Sequence, residues 1–260
     1  MTEFFQHTFH NGRRCKSRRH VNPDGSEGGI VAASATIGDG VHVAAGAEVS
    51  DGVTVGKGVW IGPHARIGYQ AVISDGAKIG KRAKIGHNAV VDCKATIGVD
   101  ALVGDGAWIG AGALIGYRAA ICYKAYIGKK ATIGGFASIG QNAIIGDCTP
   151  EGQTVWIADQ ASVSDYAYIG PRDWWVTVGP QGSRYAFLTA VWSRDNGLRW
   201  WVGCQHGISS DQFKYRIFTQ HGAKRKGGKY MDDYLAVIDF VENHPGLKRA
   251  KRDANEGAMK

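Results

Sequence analysis

The chain has 260 residues, 44% of them hydrophobic, with 31 Lys and Arg against 23 Asp and Glu and a formal net charge of +8. Room exists for one sizeable domain, a short arm and one further small domain, and no apolar run approaches the ~18 residues of a membrane span. The five cysteines (Cys15, Cys93, Cys122, Cys148, Cys204) are odd in number and form no C-x-x-C pair, which points to reduced thiols rather than a disulfide framework.

Residues 1–28 are polar and basic and are expected to form an arm without a signal-peptide core. From Val31 to Ile169 one residue class recurs every six positions. Of 24 slots, 23 hold Ile or Val, and only Glu151 breaks the series. Ala commonly stands two residues before the aliphatic (Ala65, Ala71, Ala77, Ala83) and Gly one residue after it. A period of six fits neither a helix nor an alternating strand. It fits a solenoid of 18-residue coils, each made of three short strands, with the aliphatic inward, Ala in the corner and Gly supplying unusual turn dihedrals. The stretch "GDCTPEGQTV" around Glu151 fits within the spacing, inserts nothing, and is expected to bulge outward at Thr149–Gly152.

The run "AKIGKRAKIGHNAVVDCKATIG" resembles the hexapeptide-repeat superfamily. The resemblance implies a left-handed parallel β-helix of about eight coils over 29–170, an all-β rod whose crossovers depart from the usual handedness.

Beyond residue 170 the hexad stops, and 171–246 is expected to form a small α+β domain. "WWVTVG", "RYAFLTAVW" and "LRWWVGC" predict three strands. "SSDQFKYRIFTQHG" predicts a helix capped by Ser209 with Gln212, carrying Phe213 and Ile217 on one face and stopped by Gly222. "YMDDYLAVIDFVENHP" predicts a second helix with Tyr230, Tyr234, Val237, Ile238 and Val241 inward, ended before Pro245. Six of the eight Trp lie between Trp156 and Trp201 and are expected to form a core plugging the open end of the rod. Residues 247–260 are expected to be a disordered basic tail, and "RRCKSRR", "KRKGGK" and "KRAKR" to be flexible charged segments. They lack a nucleic-acid-binding motif. The flanks "VNPDGSEGGIVA" and "GPQGSR…LTA…VGCQHGISSDQFK" resemble uncharacterised hexapeptide-repeat proteins of tailed phages and prophages. That implies an origin and a domain arrangement but no catalytic residues, while the reduced thiols point to a cytoplasm, expected to be that of a bacterial host.

Residues 18 apart should stack on the outside of such a rod. One face then carries Val72, Val90, Trp108, Tyr126 and Ile144, an apolar stripe that predicts a homotrimer interface. All 11 Lys and Arg of residues 31–170 fall between Lys57 and Lys130, against four acids there, which suggests a basic belt. One corner ladder holds Tyr69, His87, Asp105 and Tyr123, with Lys124 beside it. A second holds His64, Arg82, Asp100 and Arg118, with Lys81 and Tyr117 beside it. Imidazole one rung from carboxylate is general-base geometry, clustered Arg and Lys grip phosphate, and Tyr rings stack on nucleobases. Ladders of this kind also form plain ion-paired stacks.

Three functions compete at this point. The favoured one is a binding protein, without a cofactor, taking an anionic, nucleotide-like small molecule in clefts between subunits and sequestering a host signal. Its ligand residues would be His64, Tyr69, Lys81, Arg82, Tyr117, Arg118, Tyr123 and Lys124. The resemblance also implies an alternative, a CoA-dependent acyltransferase with His87 as base oriented by Asp105, although the long acceptor loop common in such enzymes is missing. The superfamily's metal-dependent carbonic anhydrase branch needs three His ligands that His42, His64 and His87, on different columns, cannot supply.

Overall fold

In the computed structural model, residues 3–158, 160–181, 186–202, 205–221 and 230–256 are described. The chain divides into two units, Met1–Ala161 and Ser162–Lys260.

The first unit is a parallel β-solenoid. Strands β1 (Phe4–Thr8), β2 (Arg14–Val21) and β3 (Glu27–Ala32) are followed by two-residue strands from β4 (Thr36–Ile37) to β23 (Trp156–Ile157). They stack into three sheets, in a register of 18 over the coils before Glu151, so that Ile61, Ile79, Ile97, Ile115 and Ile133 form one inward column. These isoleucines are at most 3% exposed, and the corner alanines Ala65, Ala71, Ala77 and Ala83 are fully buried. Each aliphatic so buried contributes ~1.5–3 kcal/mol.

The glycines after the aliphatics play a different part from the one expected. The left-handed conformation falls two residues further on, at Arg82 (φ 57°), Asp100 (φ 59°) and Arg118 (φ 54°), while Gly98 is not among the positive-φ residues. Gly98 is required by proximity: a Cβ there would come within 2.6 Å of the Gly116 backbone one coil on. The corners therefore present charged side chains from left-handed backbone, a cost that coil stacking must offset.

The lapse at Glu151 also differs from expectation. Thr132 pairs with Trp156, a step of 24 rather than 18. One whole hexad is therefore looped out, closed by hydrogen bonds from Thr149 N–H to the Gln153 carbonyl (2.8 Å) and from Gly152 N–H to the Thr149 carbonyl (2.9 Å). Glu151 is exposed there, on a turn that swings outward. The segment inserts six residues where the spacing had suggested none.

The basic run "RRCKSRR" is ordered as β2, which pairs antiparallel with β1 and β3 at the end of one sheet. Ser17 and His20 of β2 are buried, three residues apart, with a register shift between Arg19 and Val21. His20 Nε2 lies 2.9 Å from the Val41 carbonyl, and the Asn22 side chain accepts from Val43 N–H at 2.9 Å. These bonds satisfy backbone groups of the first coil that have no preceding coil to pair with.

The second unit resumes the hexad briefly in β24 (Ser162–Val163) and β25 (Tyr168–Ile169), then builds an antiparallel sheet. Its order is β26 (Trp174–Gln181), β27 (Ala186–Ser193), β28 (Gly197–Val202) and β29 (Gln205–Ile208). The short fourth strand was not foreseen. Helices α1 (Ser210–His221), α2 (Met231–Asn243) and α3 (Pro245–Glu256) follow. Ser209 and Gln212 cap α1 reciprocally, Ser209 N–H donating to Gln212 Oε1 (3.0 Å) and Gln212 N–H to Ser209 Oγ (3.2 Å). Phe213, Ile217, Tyr234, Val237, Ile238 and Val241 bury against Leu188, Ala190 and Trp200 of the sheet. Among the tryptophans only Trp200 and Trp201 are buried, and Trp156 is 67% exposed. The segment "KRAKR", expected to be a flexible tail, lies within α3, which Leu247 anchors with no exposure. Gly222 and "KRKGGK" lie outside the described residues.

Candidate functional site

The first sheet carries outward, in successive rungs, Glu48 of β6 (Glu48–Val49), Arg66 of β9 (Arg66–Ile67) and Lys84 of β12 (Lys84–Ile85). The tip of the β1–β2 hairpin folds over this row. Phe9, 2% exposed, pins the tip, and its amide and carbonyl close the turn with Arg13 and Gly12. His10 is thereby aimed at Glu48, with its Nδ1 and its backbone N–H each 3.2 Å from Glu48 Oε2. His7 Nε2 lies 3.3 Å from the other carboxylate oxygen.

Burial pushes the Glu48 carboxyl up, but hydrogen bonds from the His10 amide and ring and the His7 ring outweigh it, leaving it below the ordinary value. Glu48 is therefore an acceptor only at neutral pH. The ring nitrogen facing it must carry hydrogen, so neutral His10 is the Nδ1–H tautomer with a bare Nε2. Burial holds the His10 imidazole below its usual value, against the opposing pull of Glu48, with Arg66 and His87 near enough to reinforce the lowering. A neutral imidazole oriented by a carboxylate is the arrangement of a general base. The hexad pattern gave no sign of it, because His10 lies in the arm and Glu48 on another corner.

The predicted pair behaves differently. Asp105 Oδ1 accepts the backbone N–H of His87 (2.8 Å), not its ring. His87 Nδ1 in turn accepts Tyr69 N–H (3.0 Å). With Nδ1 bound as an acceptor, neutral His87 must carry its proton on Nε2, the wrong tautomer for a base on that nitrogen. The same bond recurs where no imidazole is present: Asp75 takes Lys57 N–H (2.7 Å) and Asp147 takes Lys129 N–H (2.8 Å). The His87–Asp105 rung is a coil-to-coil staple.

The remaining predicted ligand residues are divided in the same way. Arg82 grips Asp100 with two bonds of 2.6 and 2.7 Å, and Arg118 stands 3.8 Å from the same carboxylate. The Arg82 hydrogen bonds hold the Asp100 carboxyl below its ordinary value, with Arg118 and Lys81 adding to the pull. Arg118 also lies 5.1 Å over the Tyr117 ring, which meets Phe136 edge-on at 5.3 Å. Tyr69 is covered by Arg13, 4.1 Å from its centroid, which is itself paired with Asp51 at 2.9 Å. Tyr123 is exposed, with Lys124 Nζ 5.1 Å above it. The His64 ring lies against Gly46. Arg66 and Lys84 make no ion pair among the described residues. Arg66, one rung from Glu48, is thus a cation without an ion pair near His10, and Lys81 on the predicted corner is likewise without one among the described residues.

The apolar stripe is assembled as expected, Val72, Val90, Trp108, Tyr126 and Ile144 standing in register. Trp108 is 44% exposed. Tyr126 donates to Asp147 at 2.9 Å, and burial ahead of that bond pushes its phenol up to about 12. Trp60, Leu102 and Leu114, on the other two faces, are also exposed. Among the described residues no three His, Cys, Asp or Glu are placed to hold a metal ion, and no helix there is long and apolar enough to cross a membrane.

Residues 52–93 match the family model described as bacterial transferase hexapeptide, six repeats. No curated protein matches the chain. Similar solved structures include a mutant GDP-perosamine N-acetyl transferase from Caulobacter crescentus in complex with CoA and GDP-perosamine. It is 22% identical over 52% of this chain and 49% of that one, with a TM-score of 0.32. Another is a UDP-N-acetylglucosamine acyltransferase from Campylobacter jejuni, 18% identical over 85% and 91%, TM-score 0.41. A third is the acetyltransferase domain of PglB from Neisseria gonorrhoeae in complex with acetyl coenzyme A, 20% identical over 53% and 51%, TM-score 0.29. The chain thus spans about half the length of the first and third. Residues 52–93 thus carry hexapeptide repeats, and the 18-residue register extends the β-solenoid fold along the first unit.

Proposed function

We propose that the protein is a CoA-dependent acyltransferase whose base is His10 rather than His87. One observation carries this reading: a neutral imidazole, oriented by Glu48, at the head of an unpaired cationic row of Arg66 and Lys84. His10 Nε2 removes the proton of an acceptor amine or hydroxyl as that atom attacks the thioester carbonyl. The C–S bond breaks, and the imidazolium returns the proton to the departing thiolate, giving acylated acceptor and free CoA. Arg66 and Lys84 bind the donor's phosphates as charged hydrogen-bond donors. In this reading the rods, left-handed as the hexad implies, associate as a homotrimer through the Trp108 stripe in the cytoplasm of a bacterial host, encoded by a phage or prophage. The sequestration reading has less support, because its arginines are held by Asp100 and Tyr69 is covered by Arg13.

Thiol release from acetyl-CoA with a panel of amine and hydroxyl acceptors tests the proposal. His10→Gln should lower turnover by roughly 10²–10⁴-fold, while Arg66→Ala and Lys84→Ala mainly raise KM for the donor. His87→Ala should change turnover little. Full activity of His10→Gln would reject the assignment, and tight CoA binding without turnover on any acceptor would restore the sequestration reading.

A further inference from the structure

The second unit contains a cleft of about 940 Å³ that the rod chemistry leaves unused. It opens where α3 leaves the edge of the sheet. Its aromatic lining is Trp174 and Trp192, opposite each other across β26 and β27 and each half-buried. Gly246 at the start of α3 approaches the Trp174 indole so closely that a Cβ would stand 2.5 Å from its Nε1, and the His244 ring lies 5.3 Å from the same indole. Trp174 is thereby held between sheet and helix, while Trp192 is left to face the opening.

Charge is distributed round this floor in a particular way. Arg194, on the β27–β28 turn, and Arg249, on α3, both line the cleft, and neither has an ion pair among the described residues. Arg82 of the solenoid, by contrast, is held by two bonds. Asp173 and Asp195 line the cleft as well. Burial pushes the Asp173 carboxyl up, against the Gly170 N–H that donates to it at 2.7 Å, with Asp195 adding to the rise.

A flat apolar wall recognises a planar ring by stacking. Guanidinium groups recognise phosphate through paired, directed donors. Carboxylates accept hydrogen bonds from sugar hydroxyls. The volume is that of a small-molecule site, ~300–1,000 Å³, and suits one nucleotide rather than a strand. We propose that this cleft binds a free mononucleotide, its base on Trp192, its phosphate between Arg194 and Arg249, and its ribose toward Asp195. The site is independent of the acyl-transfer reading of the first unit.

Calorimetry on the full chain with AMP, GMP, UMP, ribose 5-phosphate and inorganic phosphate, beside tryptophan fluorescence, tests this. A mononucleotide should bind and quench indole emission. Arg194→Ala and Arg249→Ala should each weaken it about ten- to a hundredfold. Trp192→Leu should weaken the nucleotide but not ribose 5-phosphate, and His10→Gln should bind as the native chain does. Arg194→Ala changes an exposed turn residue, so it keeps the test valid if Trp192→Leu misfolds. Three results would each overturn the proposal: no nucleotide binding at millimolar concentration, binding unchanged in both arginine variants, or binding of a single-stranded oligonucleotide without binding of the monomer. Loss of binding in Arg66→Ala with none in Arg194→Ala would move the site to the solenoid and overturn it equally.

Discussion

The solenoid and the second unit bury apolar side chains by opposite strategies. In the solenoid each inward aliphatic is supported by the residues 18 before and 18 after it, as Ile97 is by Ile79 and Ile115. Its strands are two residues long and none could stand alone. In the second unit Trp200, Phe213, Tyr234 and Val241 come from three different elements and converge on one cluster, with the Trp200 indole donating to Ser210 Oγ at 3.0 Å. The first strategy is redundant, so its pattern survives an interruption as large as the hexad looped out at Glu151. The second has no repeat to restore it once an element is lost.

The strongest way to break that contrast is to place a charge in the column. Ile97→Asp seals a carboxylate where the native side chain is 1% exposed, and the cost is on the order of several kcal/mol. Because neighbouring coils template one another, the solenoid transition should vanish while that of the second unit persists. Calorimetric scanning with near-ultraviolet circular dichroism, dominated by Trp200 and its neighbours, distinguishes the two. A single transition lost as a whole would show that the units do not fold separately.

That contrast also explains what the sequence disclosed. The solenoid was legible because every coil repeats the same constraint, and the capping pair Ser209–Gln212 because its chemistry is local. The ladders were placed correctly but their bonds were not. Spacing brings His87 next to Asp105, yet the carboxylate accepts the His87 backbone amide rather than the ring. His10 was invisible for a related reason: its partner is 38 residues away, and the hairpin joining them repeats nothing. Within the basic run β2 buries only Ser17 and His20, three residues apart, so no strand alternation marks the hairpin.

A smaller effect is expected at the proposed trimer interface. Trp108 is 44% exposed in the middle of an apolar row, and a central Trp in an interface commonly contributes more than ~2 kcal/mol. Trp108→Glu should convert trimers to monomers in sedimentation analysis, with the solenoid still folded. A native chain that is already monomeric, or a variant as trimeric as the native chain, would remove the interface from this face.

The smallest effect concerns the hairpin tip, which His7 and His10 hold against Glu48. The folded state keeps the His10 imidazole below its ordinary value of 6.5, so as pH falls the undocked tip takes up the proton first. Docking is at full strength above 6.5 and is lost as pH drops from there through the lower folded value. Glu48 acts in the same sense over a more acid range. Its folded carboxyl lies below the ordinary 4.5, so its contribution is present above 4.5 and lost as pH falls through the folded value. Two successive losses are therefore expected, the first from His10 and the second from Glu48. Hydrogen exchange at Phe9 and Gly12, whose amides close the turn, should accelerate between pH 7 and 5.5 after correction for intrinsic rates, while exchange at Ile97 stays constant. His10→Gln should abolish the first step and leave the second. If the native tip opens only below pH 4.5, His10 is not held neutral by its surroundings, and the base assigned to the proposed reaction loses its physical ground.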